Sequence, residues 1–225
     1  MSAFYIITII FSIGGMIISG ILKSKFKRYS KIPLSAGLSG AEVAHNMLSY
    51  YGIEDVNIVM GKGLLTDHYN PVTKTVNLSP DVYSGRSIAS AAVAAHECGH
   101  AVQHAQKYPF LKFRSKIVPV VKIASMAQQY LLFIAFMTLN SMPQIMLITL
   151  IAFGVTTLFS FLTLPVEFDA SNRALKWLQS TGVAVGEEYQ GAKDALKWAA
   201  MTYVVAALSA LVMFIYLLSK YNSRD

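Results

Sequence analysis

Residues 96–100, His-Glu-Cys-Gly-His, are the part of this chain best suited to metal chemistry. His96 and His100 are four positions apart, which on an α-helix places both side chains on nearly the same face, about 6 Å apart along the axis. Two neutral imidazole nitrogens at that spacing can hold one Zn2+ ion and leave it a strong Lewis acid. The spacing therefore predicts two zinc ligands on one helix.

Glu97 lies one step round the helix from His96, beside the predicted metal ion and not on it. A carboxylate in that position can accept a proton from an attacking water and pass it to a leaving amine. Glu97 is therefore the predicted general base. A chance occurrence of these residues in an ordinary packed helix is the alternative, although the alanine-rich surroundings favour a helix that other elements approach closely.

Three residues are candidates for the third zinc ligand. His104 would lie about 12 Å along the helix from His96, outside one coordination sphere, whereas His68 in a predicted loop remains an alternative. Glu167 is favoured, because it follows Pro165 at the expected end of an apolar segment. Two successive spans would return the chain to the side of the membrane on which the histidines lie. Two histidines and a glutamate form a catalytic zinc set with one open position.

The composition predicts a membrane protein, since 54% of the 225 residues are apolar and only 14% are charged. Apolar segments of roughly 20 residues, the length that spans a bilayer as a helix, recur four times. No basic residue precedes the first segment, which favours a retained span over a removable signal peptide. The predicted organisation is a first span in 1–22, a soluble domain in 23–116, a hairpin of two spans in 117–164, a soluble segment in 165–198, a fourth span in 199–219 and a short tail in 220–225.

Charge distribution predicts the orientation of these spans. The net charge of +7 is concentrated directly after the first span, and the second soluble segment is also basic. The positive-inside rule therefore places residues 23–116 and 165–198 at the cytoplasmic face of the inner or plasma membrane, with a short outer turn at 140–144. No nucleic-acid-binding motif accompanies the positive charge, so no nucleic-acid partner is expected. The basic residues after the first span are Lys23, Lys25, Lys27, Arg28 and Lys31.

Local patterns predict a small α+β domain in the soluble part. Ser39, with Glu42 at the capping-box spacing, predicts a helix over 39–51. Alternating residues at 56–60 and 73–78 predict two strands in a hairpin or small sheet around a long loop, and residues 86–106 predict the helix that carries the histidines. The fold class is therefore mainly α, with about four transmembrane helices and a small α+β domain.

Two further interpretations concern substrate. His68 or Tyr69 in the predicted loop is a candidate oxyanion donor, although an ordinary turn is the favoured interpretation. The strand at 73–78 is a candidate edge on which an extended peptide can pair.

The pattern of His-Glu-x-x-His followed, after a transmembrane hairpin, by a glutamate-bearing helix resembles the membrane gluzincin peptidases of the HtpX and CAAX-prenyl-protease group. Their second motif, E-[YF]-x-A-D-x-x-A, matches this chain from Glu167 to Ala174, except that Ser171 replaces an aspartate that buttresses a zinc-ligating histidine. The chain is more similar still to the YugP-type family of membrane zinc metallopeptidases, which shares the DHYNP loop, the AAHECGHAVQ helix and the PVEFDAS segment. That resemblance implies a gluzincin-like domain, Zn2+ and peptidase chemistry.

The sequence thus predicts an integral-membrane zinc endopeptidase that acts on polypeptides, with membrane or misfolded proteins as expected substrates and the lipid bilayer as its surroundings. Zn2+ would be held by His96, His100 and Glu167, and Glu97 would be catalytic. The alternative is a zinc-binding membrane sensor or scaffold without turnover. The sequence does not indicate an oligomeric state.

Overall fold

The computed structural model describes residues 2–63, 66–139 and 141–223 and is mainly helical, with one small sheet. It confirms the predicted class of a mainly α protein with four helices of membrane-spanning length. Parts of three predicted segments lie outside the described residues. They are Asn140 of the outer turn, Leu64 and Leu65 of the loop, and the last two residues of the tail. The helices are α1 (Ser2–Tyr29), α2 (Gly40–Tyr50), α3 (Pro80–Tyr83), α4 (Ile88–Ala105), α5 (Pro109–Met137), α6 (Pro143–Ser180) and α7 (Gly186–Asn222), and the strands are β1 (Asn57–Met60), β2 (His68–Asn70) and β3 (Thr75–Leu78).

The apolar helices α1, α5, α6 and α7 are longer than the predicted spans. The third span is predicted to end near Pro165, and the helix itself continues through this proline to Ser180. A proline removes one helical N–H donor without necessarily ending a membrane helix. Beyond Pro165, residues at every fourth position are fully buried, and that continuous packed face stabilises the helix. These residues are Val166, Ala170, Ala174 and Leu178.

Two compact units make up the chain. One consists of Met1–Ile17, Lys112–Pro165 and Thr202–Asp225, and it contains a small apolar cluster around Met146 and Leu217. The other consists of Ile18–Leu111 and Val166–Met201. This second unit holds the sheet, the large hydrophobic core and the helix that carries the histidine pair.

The sheet has the strand order β1-β3-β2. Strand β1 pairs with β3 in parallel, so the predicted hairpin between these two strands is wrong, although a small sheet is confirmed. The hairpin instead joins β2 and β3, and at its turn the Asn70 side chain accepts hydrogen bonds from the backbone N–H groups of Val72 and Thr73. Because β3 is central and both its edges are paired, the prediction that it receives a peptide by edge pairing is also wrong.

Helix α4 lies at the centre of the second unit, where it packs against α2, α3 and the sheet. Ser87 caps its first turn by accepting a hydrogen bond from the backbone N–H of Ser90. Small side chains allow its neighbours to approach, and the alanines of its first half are almost completely buried: Ala89, Ala91, Ala92, Ala94 and Ala95. The predicted capping box of α2 is confirmed, since Ser39 and Glu42 each bond the other's backbone N–H.

Candidate metal centre

Three predicted ligands, His96 and His100 on α4 and Glu167 on α6, lie together in the second unit. The Nε2 atoms of His96 and His100 lie 3.4 and 3.5 Å from Oε2 of Glu167, and all three donor atoms lie within 4.8 Å of one another. Ligand atoms around a tetrahedral zinc with bonds of about 2.1 Å are roughly 3.4 Å apart. The donor set and its spacing therefore fit a zinc ion.

The second imidazole nitrogen of each histidine is held by a neutral side chain. Nδ1 of His96 lies 3.1 Å from Oγ of Ser171, and Nδ1 of His100 lies 3.0 Å from Oε1 of Gln103. Both contacts leave Nε2 directed at Glu167. Ser171 therefore contacts the histidine although it occupies the aspartate position of the motif that the sequence resembles, an outcome that the sequence pattern did not predict.

Gly99, inside the histidine motif, allows α4 and α6 to approach. A Cβ atom at this position would lie 2.5 Å from the carbonyl oxygen of Ala170, a distance that no real side chain tolerates. Ala170 is three residues after Glu167 on α6. The missing side chain therefore lets the helix that bears the histidines come close to the helix that bears the glutamate.

Burial and charge in the centre favour a cation. Glu167 is 2% exposed and His100 is 8% exposed. Burial lowers the pKa of His100, but the hydrogen bond and the negative charge of Glu167 outweigh it, so the pKa is raised above its ordinary value. The same carboxylate that favours a positive charge on the imidazole favours a metal cation between the donor atoms.

Glu97 is the predicted general base, and it is buried directly after His96 on α4. Its carboxylate makes no hydrogen bond or ion pair with residues 2–63, 66–139 and 141–223. The thiol of its neighbour Cys98 donates to the carbonyl oxygen of Ala44 and is packed away from the centre. Burial raises the pKa of that thiol, which makes it a poor ligand and nucleophile.

The remaining candidates have other contacts. His68 is exposed, and its Nδ1 lies 2.8 Å from the carbonyl oxygen of Thr66. The Tyr69 hydroxyl lies 2.8 Å from Nδ1 of His104. Burial is the main cause that raises the pKa of Tyr69 to about 12. The structure groups Glu167, and neither His68 nor His104, with the histidine pair.

Sequence reasoning did not identify Gln103 and Gly99 as functional residues. Gln103 is three positions after His100, which is a spacing that places two side chains on one helical face. That spacing was the available signal for the Gln103 contact. Nothing in the sequence pattern specifies how closely α4 and α6 approach at Gly99.

Known proteins provide an independent comparison. The sequence model of the family described as "Putative neutral zinc metallopeptidase" matches residues 4–222. The chain is also 43% identical over 205 residues to "Putative membrane protease YugP" of Bacillus subtilis (strain 168), which covers 91% of this chain and 90% of that protein. No solved structure matches the chain. The family implies Zn2+ as the cofactor and a peptide as the substrate. The chain belongs to this family of neutral zinc metallopeptidases.

Proposed function

We propose that the protein is an integral-membrane zinc endopeptidase of the gluzincin type, with His96, His100 and Glu167 as its zinc ligands. The observation that carries this proposal is the spacing of the three donor atoms, which matches the ligand spacing of a tetrahedral zinc ion. Two histidines of one helix and a glutamate of a later helix supply three ligands, so one position remains for water or substrate.

The proposed mechanism assigns the proton transfers to Glu97. When bound, zinc supplies Lewis acidity that polarises the scissile carbonyl group and makes water more acidic. Glu97 accepts the proton of the attacking water and then donates it to the amine that leaves as the peptide bond breaks. Ser171 and Gln103 hold the two imidazoles in place through Nδ1.

A reconstituted preparation tests this function. The protein is placed in liposomes with an unfolded polypeptide, and internal cleavage products are identified by mass spectrometry. We expect cleavage that stops when a zinc chelator is added and returns when Zn2+, but not Mg2+, is restored. Cleavage that persists after complete metal removal contradicts the proposal, and zinc binding without cleavage of any polypeptide favours the sensor or scaffold alternative.

We also propose that the metal centre faces the cytoplasm, where membrane or misfolded proteins are its substrates. The basic residues that follow the first apolar segment support this orientation. Val72, at the tip of the β2–β3 hairpin, is 91% exposed, and the native Cys98 is buried. A cysteine at position 72 is therefore expected to react with a membrane-impermeant maleimide only after the cells are permeabilised.

Met142 provides the matched control for this labelling. It is 53% exposed and precedes α6, within the predicted outer turn. A cysteine there is expected to react in intact cells. If Val72→Cys reacts in intact cells and Met142→Cys does not, the orientation is the reverse of the one proposed.

A further inference from the structure

Gln103 is a completely buried polar residue that the proposed mechanism does not require. Its relative exposure is 0%, and it lies on α4 three residues after His100. A primary amide without access to water needs protein partners for its oxygen and for both N–H groups. All of these groups have partners within the second unit.

The Gln103 side chain links two of the proposed zinc ligands. Its Oε1 accepts a hydrogen bond from Nδ1 of His100 at 3.0 Å. Its Nε2 donates to the carbonyl oxygen of Val166 at 2.8 Å, and Val166 directly precedes Glu167. One side chain therefore joins the second histidine to the backbone that carries the glutamate.

Asp169, together with the Val166 carbonyl oxygen, determines which way the Gln103 amide points. The second N–H of Nε2 donates to Oδ2 of Asp169 at 2.8 Å. A carboxylate only accepts hydrogen bonds, so the NH2 group must face Asp169, and the amide oxygen must face His100. His100 must then carry a proton on Nδ1, so Nε2, which lies 3.5 Å from Glu167, is the nitrogen that would bind zinc.

Arg173 fixes the carboxylate that orients the amide. Its Nε donates to Oδ2 of Asp169 at 2.5 Å, and its guanidinium carbon lies 5.7 Å from the centre of the Tyr108 ring. The orientation of Gln103 therefore rests on groups that are themselves held from several sides.

We propose that Gln103 is a positioning residue for the metal centre. It fixes the tautomer of His100 that presents Nε2 to zinc, and it holds the backbone at Glu167 at the distance that completes the ligand set. This inference rests on the proposed function, because it assigns Gln103 a role toward the zinc ligands named there.

Zinc affinity, measured by competition with a chromogenic chelator on the detergent-purified full chain, tests the role. Gln103→Met keeps the side-chain length but removes every hydrogen bond, so we expect the zinc dissociation constant to rise on the order of 10–100-fold. The visible spectrum of the Co2+-loaded variant is expected to change as well, since the imidazole is no longer held. A residue that only fills space would leave both measurements unchanged, and that result would overturn the inference.

Gln106→Ala is the matched control. Gln106 directly follows α4, and the substitution removes its hydrogen bond from Arg173 of α6 but touches no proposed ligand. We expect its zinc affinity to stay within about twofold of the wild type, well below the 10–100-fold effect of a lost partner to a metal ligand. An equal loss of affinity in Gln106→Ala and Gln103→Met would show that general packing between the helices, and not Gln103, sets the affinity.

If Gln103→Met does not fold, Asp169→Asn is the second variant in which zinc affinity is measured. The new amide can face Gln103 in either orientation, so only the Val166 carbonyl oxygen still directs the glutamine NH2 group away from His100, and the orientation is held less firmly. We expect zinc affinity to fall several-fold, and an unchanged affinity would again overturn the inference. A wild type that binds no zinc contradicts the proposed function itself, whereas a wild type that binds zinc as tightly as Gln103→Met contradicts only the role of Gln103.

Discussion

Glu97→Gln is expected to abolish measurable peptide cleavage while zinc remains bound. The amide keeps the shape of the side chain but cannot accept and release the proton of the attacking water. General acid–base catalysis contributes roughly 10^2- to 10^4-fold to a rate, so a fall in kcat of that size is expected. Glu97 is not among the three clustered donor residues, so elemental analysis should find the wild-type zinc content.

Glu54→Gln provides the matched control for Glu97→Gln. Glu54 is an exposed residue of the same unit, and the substitution makes the same change of charge and shape. It should cleave at the wild-type rate. A Glu97→Gln enzyme that also cleaves at the wild-type rate would remove Glu97 from the mechanism, and residual cleavage equal in all preparations would indicate a contaminating protease.

The metal centre could be predicted from sequence as far as helix geometry and chain topology determine it. His96 and His100 needed only the helical repeat, because both lie on α4. Glu167 was found by a different argument, namely that two successive spans return the chain to its starting side. Its position in the cluster agrees with that argument even though α6 does not end at Pro165. That argument required only an even number of crossings between the histidines and Glu167, and the exact end of the third span was not needed.

The contacts around the ligands could not be predicted in the same way. Ser171 matched the place of an aspartate, but only the position of α6 shows that its hydroxyl reaches His96. The role of Gln103 depends on Val166 and Asp169, which lie more than sixty residues later in the chain. Long-range packing determines these partners, and no local pattern in one sequence records it.

The pairing of the strands in the sheet also could not be predicted from local sequence patterns. Two strands were identified from alternation, but alternation does not tell whether strands run parallel or antiparallel. Strand β2 is only three residues long, His68–Asn70, too short to show alternation. Of the two predicted arrangements, a hairpin or a small sheet, the structure has the small sheet, in which β2 pairs with β3 and β1 runs parallel to β3.

Glu167→Ala is expected to remove most of the bound zinc. The substitution deletes one of three donors and the only carboxylate in the group, and it leaves two histidines that offer a much weaker site. Detergent-purified wild type should contain about one zinc per chain and the variant only a small fraction of it, measured by elemental analysis side by side. Cleavage should be lost together with the metal, in contrast to Glu97→Gln, which should lose cleavage alone.

Glu187→Ala is the matched control, because Glu187 is an exposed glutamate of the same unit and should retain its zinc. If Glu167→Ala retains zinc and His68→Ala loses it, the third ligand is the loop histidine and the described contact of Glu167 with the two imidazoles serves another purpose. If neither variant loses zinc, the histidine pair binds the metal with a ligand outside both candidates. Because the Nε2 atoms of both histidines lie 3.4 and 3.5 Å from Glu167, we expect neither of these results, and loss of zinc from Glu167→Ala alone would establish the ligand set.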